Sequence, residues 1–242
     1  MKILALDSSG LTASAAVVEN DVLQAEYTIH HKKTHSQTLL PMLEEIKKQI
    51  ELDLETIDAI AVACGPGSFT GLRIGSATAK GLGLALNKPL VAVPTLEGLA
   101  YQYYGTDKLV CPIMDARRNQ VYTGVYEFVR EGPENGMGSY ALRTVEAQCA
   151  VDIRYIAERL NGLEREVCLL GDGVPVFREA LSELLRIPYS FAPAQMNRQR
   201  ASSIAALAQV YYKEGKIQDA AEHQPEYLRL SQAERERLEG RE

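Results

Sequence analysis

The sequence predicts an α/β protein made of two lobes that repeat one order of strands and helices. Apolar runs of strand length alternate with segments of helical periodicity along the 242 residues. The order β-β-β-α-β-α-β-α, read from residues 1–106, recurs in residues 107–231, and the first run of each lobe ends in an aspartate, Asp7 or Asp115. A recurring order of elements is typical of a duplicated fold. We therefore predict two lobes with these limits and a charged tail at 232–242.

The first lobe opens with three predicted antiparallel strands, the second and third of which are joined by a tight turn at Asn20-Asp21. A capping box from Thr34 to Gln37 predicts the start of an amphipathic helix, although Pro41 falls inside its first turns. The predicted elements are strands at 3–6, 14–18, 22–29, 59–63 and 90–93, and helices at 34–50, 70–86 and 95–104.

The second lobe repeats this pattern. Gly171-Asp172-Gly173 separates a predicted strand from a helix, and Gly215 is predicted to end the last helix. A turn-rich loop is predicted at 132–138. The remaining elements are strands at 109–114, 120–129, 140–144, 167–170 and 189–191, and helices at 152–160, at 174–185 and from 203 onward.

A glycine-rich stretch at 64–75 joins a predicted strand to a helix, which invites a nucleotide-binding interpretation. A phosphate-binding loop ends in Gly-Lys-Ser/Thr, and no glycine of this stretch is followed by lysine and a hydroxyl residue in that register. The dinucleotide pattern fails as well, because Gly71 stands one position too late after Gly65 and Gly67. The stretch therefore carries neither nucleotide motif.

Small residues recur every fourth position of the predicted helix, at Gly71, Gly75, Ala79 and Gly83, and form a stripe along one face. Glycine inside a helix costs up to about 1 kcal/mol relative to alanine, so the stripe needs a reason. A face without side chains allows close backbone approach. The approaching backbone is either the protein's own sheet or another helix, which a partner chain could supply.

Composition narrows the class of protein. A hydrophobic content of 46% and a charged content of 24% are typical of a globular chain, and a net charge of −6 argues against unaided binding of nucleic acid. Cys64, Cys111 and Cys168 lie in apolar runs, which predicts packed thiols in a reducing cytoplasm. Asp7 interrupts the first apolar run and no run approaches the ~20 residues of a membrane span, so neither a signal peptide nor a membrane is expected.

Several motifs together resemble one family. They are the turn 7–9, the segment 35–41, the stretch 65–75 with Ser68-Phe69-Thr70, residues 79–82, the segment 114–118 with 121–122, and residues 225–229. On these residues the chain is similar, over nearly its whole length, to the TsaB (YeaZ) family of the actin-like superfamily. The resemblance implies a duplicated actin-like α/β fold, as in sugar kinases, Hsp70 and actin. It also implies a cytoplasmic, non-catalytic subunit that activates TsaD in making N6-threonylcarbamoyladenosine at position 37 of tRNA.

The resemblance further implies partners and a docking surface. In that family the first two helices pack against TsaD, or against a second copy in a homodimer, and the ATPase TsaE joins at the junction. Transfer RNA is then reached only through the complex. Gly75→Leu is therefore expected to block association and leave the monomer folded. The implied interface residues are His35, Leu39, Leu43, Thr70, Gly71, Ile74, Gly75, Thr78, Ala79, Leu82 and Gly83.

No metal is expected. TsaD holds a metal with a His-x-x-x-His pair just after the strand that follows the glycine-striped helix, and the matching positions here are Thr95 and Leu99. Leucine cannot ligate a metal. The chain does contain His31 and His35 at this spacing, which as a zinc pair would suggest a metallopeptidase. His31, however, precedes the capping threonine, and no glutamate follows it as a zinc-protease motif requires.

No cofactor is expected, although weak or vestigial ATP or ADP binding stays open. Actin-like kinases hold ATP between two aspartate-led turns and a glycine-rich turn. The second aspartate-led turn of this chain has Arg117 and Arg118 where small residues usually allow backbone amides to reach phosphate. The alternative function is an autonomous actin-like small-molecule kinase or ATPase. Its nucleotide-binding candidates are Asp7, Ser8, Ser9, Gly171 and Gly173.

Overall fold

A computed structural model describes residues 1–133 and 137–229 of the chain. The predicted tail at 232–242 and the middle of the predicted loop at 132–138 lie outside these residues. In the described part, ten strands form two mixed sheets, each of five strands.

The first sheet has the strand order β3-β2-β1-β4-β5. Strands β1 and β2 pair antiparallel, as do β2 and β3, whereas β1, β4 and β5 run parallel. The strands are β1 (Lys2–Asp7), β2 (Thr12–Glu19), β3 (Val22–His30), β4 (Ala59–Gly65) and β5 (Leu90–Pro94). The helices of this half are α1 (His35–Gln49), α2 (Phe69–Leu86) and α3 (Thr95–Tyr101).

The second sheet has the order β10-β9-β6-β7-β8, which is the order of the first sheet read from the other edge. Its strands are β6 (Leu109–Asp115), β7 (Gln120–Glu131), β8 (Ser139–Asp152), β9 (Val167–Leu170) and β10 (Tyr189–Phe191). The helices are α4 (Ile153–Leu163), α5 (Val174–Leu184) and α6 (Ala201–Lys213). Both halves therefore follow β-β-β-α-β-α-β-α with the same sheet order, and the predicted duplicated actin-like α/β fold is confirmed.

Backbone conformation at short turns explains where some strands and helices end. Asn20 and Asp21 adopt φ of 49° and 65°, as the predicted hairpin turn requires, and Gly215 ends α6 with φ of 75°. The predicted capping box does not form, although α1 does begin directly after Thr34. The side chain of Thr34 makes no cap hydrogen bond, and the Gln37 backbone N–H donates to the Thr34 carbonyl oxygen at 2.9 Å instead. Strand β8 is far longer than predicted, because its whole length pairs with β7.

Alternate residues of each strand pack on opposite faces. In β1, Leu4 and Leu6 join the core under α1 and α2, whereas Ile3 and Ala5 face α6. The last helix of each half packs on the sheet of the other half. Helix α6 covers the first sheet, and α3 packs on the second through Leu96. A division of the chain at residue 106 separates the two sheets, but it also separates each sheet from one of its covering helices.

The segment 216–229, which we call the C-terminal strap, runs back along the first half and reaches the second. The Lys80 ammonium donates to the carbonyl oxygens of Ala221 and His223, at 2.9 and 3.1 Å. The Glu226 N–H donates to the Cys64 carbonyl oxygen at 2.7 Å, and the Arg229 guanidinium bonds to the carbonyl oxygen of Ala116 in the second half. The strap thus contacts the first half through its backbone and the second half through the Arg229 side chain.

Within residues 1–133 and 137–229, none of the helices has the length and apolarity that crossing a membrane needs.

Candidate functional site

A cleft of about 450 Å³ opens between the two halves, where the first strand of each sheet ends. The turn after β1, the N-terminus of α2, the turn after β6 and the C-terminal strap all line it. Three motifs that carried the family resemblance, at 65–75, 114–118 and 225–229, therefore meet in one place although they lie far apart in sequence.

Asp7 stands on the first cleft turn and is 1% exposed. Its carboxylate accepts hydrogen bonds from the Ser9 N–H at 2.9 Å and from the Ser9 hydroxyl at 2.6 Å. Burial nevertheless raises the pKa of Asp7 from 3.8 to about 6, because desolvation of the charged form outweighs these two bonds. The carboxyl thus fixes the turn from inside and does not face the cleft.

The glycine stripe of α2 packs on this same turn. A Cβ added at Gly71 would lie 2.1 Å from the Ser8 carbonyl oxygen, and one at Gly75 would lie 2.4 Å from the Ser8 hydroxyl oxygen. The Ser8 hydroxyl donates to the Gly71 carbonyl oxygen at 2.8 Å. Further along the stripe, Ala79 is fully buried, and a Cβ at Gly83 would lie 2.7 Å from that of Ala220.

The placement of this stripe at a docking surface is therefore wrong for Gly71, Gly75, Ala79 and Gly83. Glycine is needed at 71, 75 and 83 because the protein's own β1 turn and C-terminal strap approach the helix backbone, and Ala79 is buried on the same face. For the same reason the structure predicts that Gly75→Leu destabilises the monomer, because even a Cβ at this position would lie 2.4 Å from the Ser8 hydroxyl oxygen.

Two residues of α1 are also misplaced by the sequence prediction. Leu39 is 1% exposed and belongs to the core. His35 lines the cleft, where its Nε2 lies 2.7 Å from the Gly10 carbonyl oxygen. That contact makes Nε2 the donor nitrogen. His31 is exposed, so the two histidines of the His-x-x-x-His spacing lie in different environments.

The outer face of α1 and α2, opposite the stripe, exposes two leucines beside small and polar residues. We call it the α1–α2 face. Leu40 on α1 is 54% exposed and Leu84 on α2 is 61% exposed. Also on α2, a Cβ at Gly81 would meet no atom within 4 Å. The other predicted interface residues are exposed or half-buried on these helices; they are Leu43, Thr70, Ile74, Thr78 and Leu82.

The second cleft turn is held in an uncommon conformation. Arg117, Arg118 and Asn119 have φ of 66°, 54° and 58°, in the left-handed region where side chains other than glycine are infrequent. The Asp115 carboxylate accepts the Arg117 N–H at 2.8 Å and stabilises the turn. Burial raises the pKa of the neighbouring Asp172, whose carboxylate accepts the Asp115 N–H. The turn presents arginine side chains to the cleft mouth.

The glycine turn of the second half has a structural role. A Cβ at Gly171 would lie 2.3 Å from the Ile113 carbonyl oxygen, and one at Gly173 would lie 2.9 Å from the same atom. Both glycines pack on β6. Among the five nucleotide-binding candidates, Ser9 lines the cleft, whereas Asp7, Ser8, Gly171 and Gly173 do not. The prediction of no cofactor, with weak or vestigial ATP or ADP binding left open, stays a prediction.

Sequence reasoning missed the wall that the C-terminal strap gives the cleft. The Tyr227 ring stacks on Phe69 with centroids 4.5 Å apart, and the Tyr227 hydroxyl accepts a hydrogen bond from Arg73 at 3.3 Å. The guanidinium of Arg73 also lies 4.0 Å from the Phe69 ring centroid. The motif at 225–229 marked this segment as part of the family resemblance. A local motif does not indicate which part of the fold the segment packs against.

Metal-ligating groups do not converge in the described part of the chain: no three or more His, Cys, Asp or Glu side chains come together there. Thr95 and Leu99, where the family resemblance implies the TsaD histidines would fall, are 0% and 1% exposed. All four cysteines are free thiols. Burial raises the pKa of Cys111 to about 12, as expected for a packed thiol.

The fold and the cleft define an actin-like α/β protein with two similar halves. Residues 23–237 match the family model "TsaD: tRNA N6-adenosine threonylcarbamoyltransferase". The chain is 34% identical over 239 residues to the "tRNA threonylcarbamoyladenosine biosynthesis protein TsaB" of Bacillus subtilis (strain 168), covering 99% of each protein. It is 29% identical over 235 residues to the protein of that name from Escherichia coli (strain K12), covering 95% of each.

Solved structures agree with these relatives. YeaZ from Pseudomonas aeruginosa superposes with a TM-score of 0.76 at 26% identity, over 94% of this chain and 99% of that chain. The chain belongs to the TsaB (YeaZ) family, within the wider group that the TsaD family model describes.

Proposed function

We propose that this chain is the TsaB subunit of tRNA threonylcarbamoyladenosine biosynthesis. In this role it is non-catalytic and binds TsaD through the α1–α2 face. Sequence similarity to TsaB proteins over nearly the full length supports a role in this pathway. The observation that carries the docking role is the exposed apolar surface at Leu40, Gly81 and Leu84. The proposal has three further parts. TsaE joins at the junction with TsaD, the chain forms a homodimer through the same face, and it holds no resident nucleotide.

The chemistry of the α1–α2 face fits a helix-packing partner. Ala77, Gly81 and Ala85 are exposed small residues at helical spacing on α2, and Leu84 on α2 and Leu40 on α1 are exposed large apolar residues. Small residues let a second helix approach closely, and large apolar residues contribute buried area. A stable contact of this kind buries on the order of 1,200 Å² or more in total.

The non-catalytic part of the proposal rests on α3. Thr95 and Leu99 replace the metal-binding pair that the catalytic relative is expected to carry, and both side chains are enclosed in the core. A buried leucine offers no ligand, and a lone threonine is a poor one. The chain therefore contributes a binding surface while the chemistry is carried out by TsaD.

The test introduces bulk and charge at Gly81. We expect Gly81→Arg to weaken association with TsaD from the same organism about tenfold or more, because the side chain holds the helices apart and brings an unpaired charge into an apolar contact. Affinity is measured by calorimetry with purified TsaD. Threonylcarbamoyladenosine in tRNA is measured by mass spectrometry in cells that depend on the variant.

Gly162→Arg on α4 is the matched control, since Gly162 is also an exposed helical glycine with no atom within 4 Å of an added Cβ. We expect this variant to bind TsaD like the wild type. Equal affinity of Gly81→Arg and wild type contradicts the docking surface. Failure of the wild-type chain to bind TsaD, or to restore the modified nucleoside, contradicts the proposed function itself.

A further inference from the structure

The C-terminal strap has one large buried side chain. Along 216–229 only Ala220 and His223 are buried, and the other residues are exposed or half-buried. His223 is 1% exposed, whereas Ile217 and Tyr227, near the two ends of the strap, are 47% and 40% exposed. A segment that buries so little surface belongs to the low-stability part of a fold and can open without global unfolding. His223 is therefore the largest side chain that must leave the interior when the strap opens.

The His223 ring is enclosed without an acceptor for a second proton. The Gln218 amide nitrogen lies 2.8 Å from Nδ1, which makes Nδ1 the acceptor of that hydrogen bond. Nε2 is buried and has no hydrogen-bond partner among the described residues. Protonation would place an N–H at Nδ1 facing another donor, and it would leave the Nε2 N–H of a charged ring unpaired. A buried charge with unpaired donors is strongly unfavourable.

The charges around the ring also oppose protonation. The Lys80 ammonium of α2 donates to the His223 carbonyl oxygen at 3.1 Å, so a cation already lies beside this residue. The nearby acidic residues of the strap are turned elsewhere: the Asp219 carboxylate accepts the Ala221 N–H at 2.7 Å, and Glu222 is exposed. Strand β5, which pairs with the start of the strap, has no charged residue. Burial, and then Lys80, lower the pKa of His223 below its ordinary value of 6.5.

The part of the strap beyond His223 closes one side of the cleft. Residues 226–229 line the cleft, and the Arg229 guanidinium bonds to the Ala116 carbonyl oxygen of the second half. The Gln148 amide, also in the second half, donates to the Glu226 carboxylate at 3.2 Å. Release of the strap would therefore remove a wall of the cleft together with polar contacts that join the two halves.

We propose that the C-terminal strap is a pH-sensitive latch on the cleft, closed while His223 is neutral and released when its ring is protonated. The ring of a released strap is in water and takes up a proton near pH 6.5, whereas the ring of a closed strap takes one up only at lower pH. The ratio of closed to released strap therefore falls by up to about tenfold per pH unit below about pH 6.5, until the closed ring also titrates. The proposal does not depend on docking to TsaD.

The experiment uses the full-length chain, which contains no tryptophan. Tyr227→Trp places a single indole on Phe69, where the Tyr227 ring stacks with centroids 4.5 Å apart. Quenching of its fluorescence by acrylamide reports release of the strap, and far-UV circular dichroism at each pH reports the rest of the fold. We expect quenching to rise about twofold or more between about pH 7.5 and about pH 5, with unchanged circular dichroism.

His223→Gln, combined with Tyr227→Trp, removes the group that titrates. We expect its quenching to stay constant over this pH range, because glutamine takes up no proton. His31→Gln is the matched control, since His31 is exposed, and we expect it to show the same rise as Tyr227→Trp alone. Asp7 and His35 are retained in every variant, so their titration is common to all of them. A rise in His223→Gln as large as in its parent overturns the proposal, and so does a parent without a rise.

Two further measurements keep the test decisive if His223→Gln does not fold. In Lys80→Met the two hydrogen bonds from the ammonium to the strap are lost, and we expect more quenching than in the parent at about pH 8, where His223 is neutral. In the unsubstituted protein, NMR measures hydrogen exchange of the Glu226 N–H, which donates to the Cys64 carbonyl oxygen at 2.7 Å. We expect its protection to fall about tenfold or more from about pH 7.5 to about pH 5, while the amides of β4 keep theirs. Equal protection of Glu226 at both pH values overturns the latch.

Discussion

Asp7 shows at the scale of a residue how burial and hydrogen bonding compete. The sequence placed an aspartate at the end of the first strand of each half, which located both cleft turns correctly. It gave no indication that Asp7 is 1% exposed whereas Asp115 lies at the cleft surface and pairs with Arg117. The start of α2 packs directly on the first turn through Gly71 and Gly75, whereas the start of α5 meets the second turn through Asp172, whose carboxylate accepts the Asp115 N–H.

The buried carboxyl of Asp7 makes stability depend on pH. Its pKa is raised from 3.8 to about 6, so the unfolded chain releases the proton at lower pH than the folded chain. The contribution of this group to stability is therefore lost as pH rises from about 4 to about 6, and the loss is constant above that window. Two pKa units correspond to about 3 kcal/mol. We expect Asp7→Asn to be more stable than wild type by up to about 3 kcal/mol at pH 8 and equal to it at pH 4.

Urea unfolding of both proteins across this pH range measures the difference. Asp53→Asn is the control, because Asp53 makes the same turn hydrogen bond, to the Glu55 N–H at 3.0 Å, from an exposed position. A constant difference between Asp7→Asn and wild type from pH 4 to pH 8 shows that this carboxyl does not titrate in the window stated.

At the scale of an element, helix α2 shows that a sequence pattern predicts a helix face without identifying what packs against that face. The spacing of Gly71, Gly75, Ala79 and Gly83 correctly predicted a helix with one side-chain-free face. Periodicity says which residues share a face, but it does not say what lies against that face. The contacts come from Ser8, more than sixty positions away, and from Ala220 in the strap. The exposed glycine is instead Gly81, which the stripe does not include.

Two alanine substitutions in α2 separate these environments. We expect Gly75→Ala to lower the free energy of unfolding by about 1–3 kcal/mol, because its Cβ would overlap the Ser8 hydroxyl. We expect Gly81→Ala to raise it by up to about 1 kcal/mol, because alanine favours the helix and meets no atom within 4 Å. Urea unfolding of each purified variant gives both values. Equal effects of the two substitutions contradict the inward orientation of the stripe.

The whole molecule is held together by helices that cross between the two halves. Helix α6 covers Ile3, Ala5 and Val93 of the first sheet, and α3 packs Leu96 onto the second. The C-terminal strap adds hydrogen bonds to Cys64 and Ala116 on opposite sides of the cleft. The duplicated lobes are thus similar in topology but not independent in packing.

A truncation tests this dependence. We expect residues 1–106 expressed alone to lack a cooperative unfolding transition, because helix α6, which covers one face of the first sheet, is then missing. Addition of a peptide comprising 199–217 should restore part of the transition, since it supplies Ile204 and Leu207 to that face. Circular dichroism during thermal unfolding measures both. Cooperative unfolding of 1–106 without the peptide contradicts the dependence on α6.

The sequence by itself determined the order of the elements, the duplication and the family, because strand and helix periodicity and short motifs are local properties of the chain. It also located both cleft turns and the segment that became the strap. Only the tertiary structure decided the direction of the glycine stripe, the burial of His35 and Leu39, and the crossing of α3 and α6. These depend on contacts between residues far apart in sequence, whose energies no local pattern contains.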